Sequence, residues 1–558
     1  MKSLIVSLAV LMACGPAFAA PLAMIEGIAD PVLRDALQAA VGARAESENP
    51  ADGPMRQART AADRARRLLR SEGYYRAQVD PRLDDNSQAV IHITLGPRVR
   101  IATIDAVTTP DTEAAPLARA AITLSRDAPL RAADVIASDA LGLAALQDAG
   151  WPSAESGDRQ VRVDHATDTA IVQFVYDTGP YSVYGPFELD GDNWRPGFIA
   201  ALSPLTRGAT ASRTQILEYQ RRLDALTSVR TSQVMLGEAD PATSERPVRV
   251  ELTPASRHSI EASLSFATSE GAGANFDWTR RNMFLGDETL TVEASIATLQ
   301  QGLGATLSLP HWRRYQQTLL FSAGVQSQET DAFDQTGLLV TAGVTRRAGH
   351  LEYGAGTRLD ISQVTDTTGP RDANTLALDL SAAYDTRNNP LDPDEGLRAR
   401  LQISPAATFG DVETRYVGVE ARASSYYRLS DDLVAAAESL PADLRLYAGG
   451  GGSVRGYSYQ SLSPLGSDGS PFGGLSVTET SLELRWRARE RWGAVAFLDS
   501  GTASTASTPD FAEFRSAVGV GVRYYFDFAP VRFDIATPLD RRSDDAALQI
   551  YFSLGQAF

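Results

Sequence analysis

Residues 289–299 read Thr289-Leu290-Thr291-Val292-Glu293-Ala294-Ser295-Ile296-Ala297-Thr298-Leu299. Leu290, Val292, Ala294 and Ile296 fall on one side of an extended chain, and Thr291, Glu293 and Ser295 on the other. A period of two predicts a strand with one apolar face. The same rule holds in His258–Thr268, where Ile260, Ala262, Leu264 and Phe266 alternate with Glu261, Ser263 and Ser265. It returns in Thr375–Tyr384 (Leu376, Leu378, Leu380) and in Leu397–Ile403, which interleaves Arg398, Arg400 and Gln402. A soluble sandwich gives such a pattern, with the apolar face inward. A membrane barrel inverts its meaning: apolar side chains meet lipid and polar ones a wet interior. The pattern runs over the whole back half without a helical interruption, which is too long for one ordinary sandwich. The expectation is an all-β transmembrane barrel.

Composition is compatible with this. The chain has 558 residues, 52 Lys+Arg against 69 Asp+Glu, a net charge of −17, and one Cys. The acidic balance argues against a nucleic-acid partner. A single cysteine excludes a disulfide framework or a cysteine metal site. Mean hydropathy is −0.17. No apolar run of about 18 residues occurs, so helices are not expected to cross a membrane, whereas strands need only alternate residues to be apolar.

The last predicted strands, 480–488, 493–500, 514–526, 530–537 and 548–558, are joined by connections that alternate short and long. In outer-membrane barrels the short turns are periplasmic and the longer loops external. This puts 489–492 and 527–529 in the periplasm and 501–513 and 538–547 outside, with a periplasmic C-terminus and an even strand number. At about 19 residues per strand and connection, residues 255–558 hold about 16 strands, although 14 or 18 fit the same arithmetic.

At the other end, Met1-Lys2-Ser3, the apolar Leu4–Met12 and the small Ala17-Phe18-Ala19-Ala20 read as a secretory signal peptide over 1–20. Its cleavage removes Cys14. A rival reading is a lipid-attachment site at Leu11-Met12-Ala13-Cys14, which Met12 and the short preceding segment fit poorly.

Between these regions three segments share one grammar. A helical stretch (Arg64–Arg70; Leu143–Asp148; Tyr219–Leu226) is followed by a strand (Ala89–Leu95; Ala170–Tyr176; Pro247–Leu252). Gly96-Pro97 and Gly179-Pro180 each break one unit and launch the next. Each unit reads as a helix packed on returning strands. A generic α+β repeat with no binding role fits as well. The pattern resembles polypeptide-transport-associated (POTRA) domains, periplasmic βααββ modules of outer-membrane assembly factors. Three are expected, at 21–98, 99–179 and 180–254, followed by a barrel at 255–558. In that family such modules dock partners and nascent chains, often by strand addition. Arg56, Arg59, Arg64, Arg66, Arg67 and Arg70 make the first module's helix basic. That is a solvated face, or a surface for anionic lipid or an acidic partner.

The most specific motif is Val454-Arg455-Gly456-Tyr457, inside a glycine-rich segment running from Gly449 to Gly474. No phosphate-binding lysine or following helix accompanies it. The motif resembles the sixth external loop of the superfamily that combines POTRA domains with a C-terminal surface-antigen-type barrel. There the loop folds into the barrel and its arginine meets acids on the inner wall. Phe497-Leu498-Asp499-Ser500-Gly501 matches the family's Phe-x-Asp-x-Gly strand. Alternation turns Asp499 and Glu483 away from Leu498, Leu482 and Leu484, hence inward. Taken alone, each acid is an ordinary solvated lumen charge. Ile550–Phe558 ends on an aromatic, which looks like the family's insertion signal at Phe558, and reads equally as an edge strand with a lipid-facing Phe. Asp385–Gly396 is a family-like segment that reads as a tight Pro/Asp/Gly turn.

Nothing points to catalysis, a cofactor or a metal. His92, His165, His258, His311 and His350 form no His-Glu-x-x-His pattern, and His311, beside Pro310 and Trp312, reads as interfacial. The resemblance implies a protein of the outer membrane with periplasmic modules. Three modules fit the outer-membrane subunit of a translocation and assembly module, whereas the general assembly factor has five and a two-partner secretion transporter has two and a plug helix. It implies assistance to insertion of outer-membrane proteins such as autotransporters. The implied partners are unfolded clients, outer-membrane lipid and a TamB-like inner-membrane-anchored, periplasm-spanning protein. Alternatives are a two-partner-type secretion pore, phospholipid transfer to the outer membrane, or a barrel enzyme.

Overall fold

The computed structural model describes residues 21–42, 53–366, 369–390, 393–430, 433–440, 446–466, 469–489, 491–526, 530–542 and 545–554. The signal-peptide expectation at 1–20 and the C-terminal signal at Phe558 lie outside these residues.

The first module runs strand Met24–Glu26, helix Pro31–Val41, helix Pro54–Ser71, strand Gln78–Leu83, strand Ala89–Thr94, with the last strand between the other two. Asp30 caps the first helix through a bond from Val32 N, Pro31 follows, and Gly42 ends it in a left-handed conformation. Leu33, Leu37 and Val41, at helical spacing, are buried. The second helix buries Ala58, Ala61, Ala62, Ala65 and Leu69, and the small side chains bring it close to Ile91 and Ile93 in the same core. Two of its arginines serve the fold: Arg64 and Arg66 donate to the carbonyls of Val41 and Val79.

The second module centres on strand Thr169–Asp177, which buries Ala170, Val172, Phe174 and Tyr176 and pairs in parallel with Arg100–Thr109. A third sheet comprises strands Val183–Asp190, Val229–Leu236 and Glu245–Pro254, again with the last strand in the middle. The chain forms two compact units. One runs through Glu188 and takes in Pro204–Tyr219 and Val234–Arg249; the other holds Leu189–Ser203, Gln220–Gln233 and everything from Val250.

Sixteen antiparallel strands, from His258–Ala267 to Gln549–Leu554, close a barrel. The apolar members of the alternating runs face out: Ile260, Leu264, Phe266, Leu376, Leu378, Leu380, Leu401 and Ile403 are exposed. On a soluble protein this would be a severe liability; around a closed barrel it is a lipid-facing band. Exposed Tyr353, Tyr384, Tyr427, Trp486 and Trp492 sit at periplasmic strand ends and make an aromatic girdle there. No helix among the described residues is long and apolar enough to cross a membrane; the strands do so.

The long external connections near the C-terminus hold as expected, at 505–514 and 539–548. Earlier in the barrel the rule fails for most connections, although the periplasmic turn at 349–350 is brief. External turns at 268–270, 298–299, 330–333 and 411–413 are brief, while the periplasmic connections 282–288, 310–316 and 386–395 are longer. The Asp385–Gly396 segment is therefore not a tight turn. Arg387 holds Asp385 in a two-pronged bond of 3.0 and 2.8 Å, and Arg428 reaches across to Asp394. These charged pairs organise the connection together with backbone bonds, Thr386 N to Leu397 O at 2.8 Å and Asn388 N to Glu395 O at 3.2 Å.

Candidate functional site

The site grows from two facts of strand geometry. The strand Trp492–Ser504 turns Val495, Phe497 and Asp499 inward, and the long loop between strands Leu433–Leu440 and Ser476–Arg489 lies against that face. Val454 is fully buried with Tyr457, Leu462, Val477, Ala503 and Ala517. It fits because position 501 is glycine: a Cβ there would stand 2.7 Å from Val454 Cγ2. Gly456 has φ +102°, and a Cβ on it would stand 2.7 Å from Ala517 Cβ, so only glycine passes this point without strain. Gly456 N donates to the Tyr551 hydroxyl at 3.0 Å, and Tyr457 donates its hydroxyl hydrogen to Ser516 O at 3.0 Å. Apolar anchoring on both sides of Arg455 thus delivers its guanidinium to the wall.

There it is met on three sides. Arg455 Nε and Nη2 hold the two oxygens of Asp499 at 2.7 and 3.0 Å, and Arg455 N adds a third bond at 3.2 Å. Nη2 also donates to Glu483 Oε1 at 2.9 Å, and Nη1 to Asp534 Oδ2 at 3.4 Å. The guanidinium carbon Cζ lies 3.5 Å from the Phe497 ring centroid. Asp499 is 1% exposed, a position where a lone carboxylate would carry a heavy desolvation cost. The fork of Arg455 matches its two oxygens, which a lysine cannot do. The acids have secondary partners: Ser481 donates to Asp499 at 2.7 Å, Arg485 to Glu483 at 2.8 Å, and Arg523 holds both oxygens of Asp534.

Val454, Arg455, Gly456, Tyr457, Glu483 and Asp499 are thus gathered in one place. Asp534, Ser481 and Tyr551 belong there too and were missed. Asp534 carried a readable signal, since it alternates with Phe533 and Ile535 in its strand as Asp499 does with Leu498. Ser481 and Tyr551 carried none beyond parity. The five histidines do not converge: among the described residues, no group of His, Cys, Asp and Glu is placed to hold a metal ion. The arrangement is an electrostatic and steric fastening of a loop to a wall; what it can do chemically is hold.

An outward apolar band, an aromatic girdle and a loop pinned inside the lumen define an outer-membrane β-barrel preceded by periplasmic modules. Comparison with known proteins makes this specific. Residues 282–558 match the Omp85 superfamily domain, and residues 24–95 match the POTRA domain described as TamA domain 1. The chain is a TamA-like member of the Omp85 superfamily, located in the outer membrane with its POTRA domains in the periplasm. Its work lies in outer-membrane protein assembly or secretion. Among solved structures it is similar to BamA from Haemophilus ducreyi lacking POTRA domains 1-3, with 16% identity and a TM-score of 0.67 over 82% of this chain and 100% of that one. It is also similar to CdiB from Acinetobacter baumannii, with 12% identity and a TM-score of 0.52 over 83% of this chain and 91% of that one. At these identities the likeness is one of fold.

Proposed function

We propose that this chain is the outer-membrane subunit of a translocation and assembly module. It assists insertion of outer-membrane proteins, autotransporters among them, together with a TamB-like partner anchored in the inner membrane and spanning the periplasm. The observation that carries this reading is the TamA-type first module at 24–95 on the same chain as the Omp85 barrel. Three βααββ-like units at 21–98, 99–179 and 180–254 support it. Their sheets leave strands such as Gln78–Leu83 at an edge, where an incoming chain can pair.

In this mechanism the Arg455 contacts act as a clasp. They hold the sixth external loop inside the lumen and brace strands 476–489, 492–504 and 530–538 near the closing seam. The first strand pairs with the last through four described positions, Leu264–Ala267 with Leu554–Tyr551. A wall braced beside the seam favours opening at the seam rather than within the wall. A client strand then pairs with the freed edge of the first strand.

Affinity capture from crosslinked membranes tests the partner assignment. Recovery of an inner-membrane-anchored, periplasm-spanning protein by the full chain, lost when residues 21–98 are deleted, is the expected result. Recovery of a single dedicated secreted substrate instead, with no such partner, would replace this reading with that of a secretion pore.

A further inference from the structure

The periplasmic rim carries a second built site that the clasp does not use. The turns 282–288 and 310–316 meet the segment 195–198 around a cavity of about 400 Å³. Its lining divides by chemistry. Leu309 belongs to the lipid-facing side of its strand, in phase with exposed Leu303, and Phe198 adds a second apolar wall. Trp312 and His311 also line it, with the guanidinium of Arg313 4.4 Å from the Trp312 ring centroid. Arg195 lines the other side.

The charges are not balanced within the cavity. Glu288, the acid in the lining, is buried and saturated: it accepts from Arg195 Nη2 at 3.1 Å, Phe284 N at 3.1 Å and Gly286 N at 3.0 Å. Arg313 is exposed and makes no ion pair among the described residues. His311 Nδ1 accepts from Gln316 N at 3.0 Å, which leaves Nε2 as the N–H of the neutral ring. The cavity therefore offers donors and positive charge to whatever enters, beside an apolar wall that continues into the membrane band.

The turn that shapes it is held in a costly conformation. His311, Arg313 and Gln316 all have φ near +60°, which non-glycine residues adopt rarely. Three such residues in one short turn persist only where the surroundings over-determine them. Here Tyr315 stacks on His311 at 5.1 Å, and Arg222 lies 4.2 Å from the Tyr315 ring centroid. Asp287, buried in the neighbouring turn, fixes the other wall by accepting from Ser228 N at 2.7 Å and Thr227 Oγ1 at 3.0 Å. The site is pre-shaped rather than assembled on binding.

We propose that this cavity binds the phosphate headgroup of a phospholipid from the periplasmic leaflet, with Arg195, Arg313 and His311 facing the phosphate and Leu309 and Phe198 against the upper acyl chain. A soluble phosphate ester would satisfy the same donors but would leave the apolar wall uncovered. The site is built by the barrel turns together with the segment 195–198, and it stands whichever partner the modules take.

The test uses the full chain in nanodiscs and a photoreactive phosphatidylglycerol. Labelling is expected to concentrate on 195–198 and 309–313, and to fall roughly tenfold in Arg195→Ala/Arg313→Ala, the loss expected for charge-assisted bonds. A diacylglycerol carrying the same photoreactive group but no phosphate is expected to label at the level of the double variant. Heat-modifiable gel migration shows that the variant barrel is folded. Should the double variant not fold, Arg313→Gln, which leaves the Arg195–Glu288 pair intact, is expected to cut labelling by at least half. Equal labelling of wild type and folded variant, or by the two probes, overturns the site. Displacement of the lipid probe by millimolar inorganic phosphate makes it a soluble-anion site and overturns the lipid assignment.

Discussion

Asp499 has the fewest alternatives of any residue in the site. Without Arg455 it keeps only the hydroxyl of Ser481, whereas Glu483 keeps Arg485 and Asp534 keeps Arg523. Arg455→Ala should therefore destabilise the loop–wall contact by about 3 kcal/mol, the low end for a broken buried pair, with most of the loss at Asp499. Arg455→Lys should rescue little of it, because an ammonium cannot span both carboxylate oxygens. Protease cleavage within 446–475 and the temperature midpoint of heat-modifiability read this directly. Asp499→Asn should cost more than Glu483→Gln or Asp534→Asn, and the reverse order would remove Asp499 from the centre of the clasp. Gly456→Ala tests the steric half independently of charge. Its left-handed φ and the approach to Ala517 predict a cost of about 1–3 kcal/mol, seen as loop release with the acids intact.

Helix Arg213–Asp224 of the third unit begins on a side chain from another module. Asp148, at the end of helix Ala132–Asp148, accepts from Thr214 N at 2.9 Å, Ser212 Oγ at 2.8 Å and Thr214 Oγ1 at 2.8 Å. Burial pushes this carboxyl up, but the bonds from Thr214 and Ser212 outweigh it and hold it below its usual range. A folded-state value below the unfolded one means stabilisation that is complete above the unfolded value of about 3.9 and lost as pH falls through the folded value. Hydrogen exchange at Thr214 should thus be slow at neutral pH and accelerate, relative to other helix amides, only in acid. Asp148→Asn should show the fast rate at neutral pH. If wild type and variant exchange alike at pH 7, Asp148 does not join these two elements.

For the whole molecule, client insertion through the seam requires its first and last strands to part. Ser265 and Ser553 lie directly opposite each other across it. A cysteine at each position places two thiols on adjacent strands within reach of a disulfide, the strand spacing of about 5 Å being close to that of bridged cysteines. If client insertion needs the first strand's edge, the oxidised Ser265→Cys/Ser553→Cys protein should lose client assembly and regain it on reduction. Undiminished assembly with the bond formed would place client entry elsewhere. Clasp variants should act in the same direction on this readout, since a released loop no longer braces the wall beside the seam.

The sequence alone determined the barrel and the inward direction of Asp499 and Glu483. Each follows from a period of two, and that period is a local property of an extended backbone, independent of distant contacts. The repeated helix-then-strand units were legible for the same reason. Phe558 and the leader fall outside the described residues. Only the tertiary structure decided that Arg455 reaches three acids rather than two, that Tyr551 receives Gly456, and that the longer connections of the early barrel lie on the periplasmic side. It also decided that His311 and Trp312 line a cavity with Arg195, more than a hundred residues away in sequence. These depend on barrel closure and on the path of a loop through the lumen, where partners far apart along the chain meet, and no periodicity records which inward-facing residues will be neighbours.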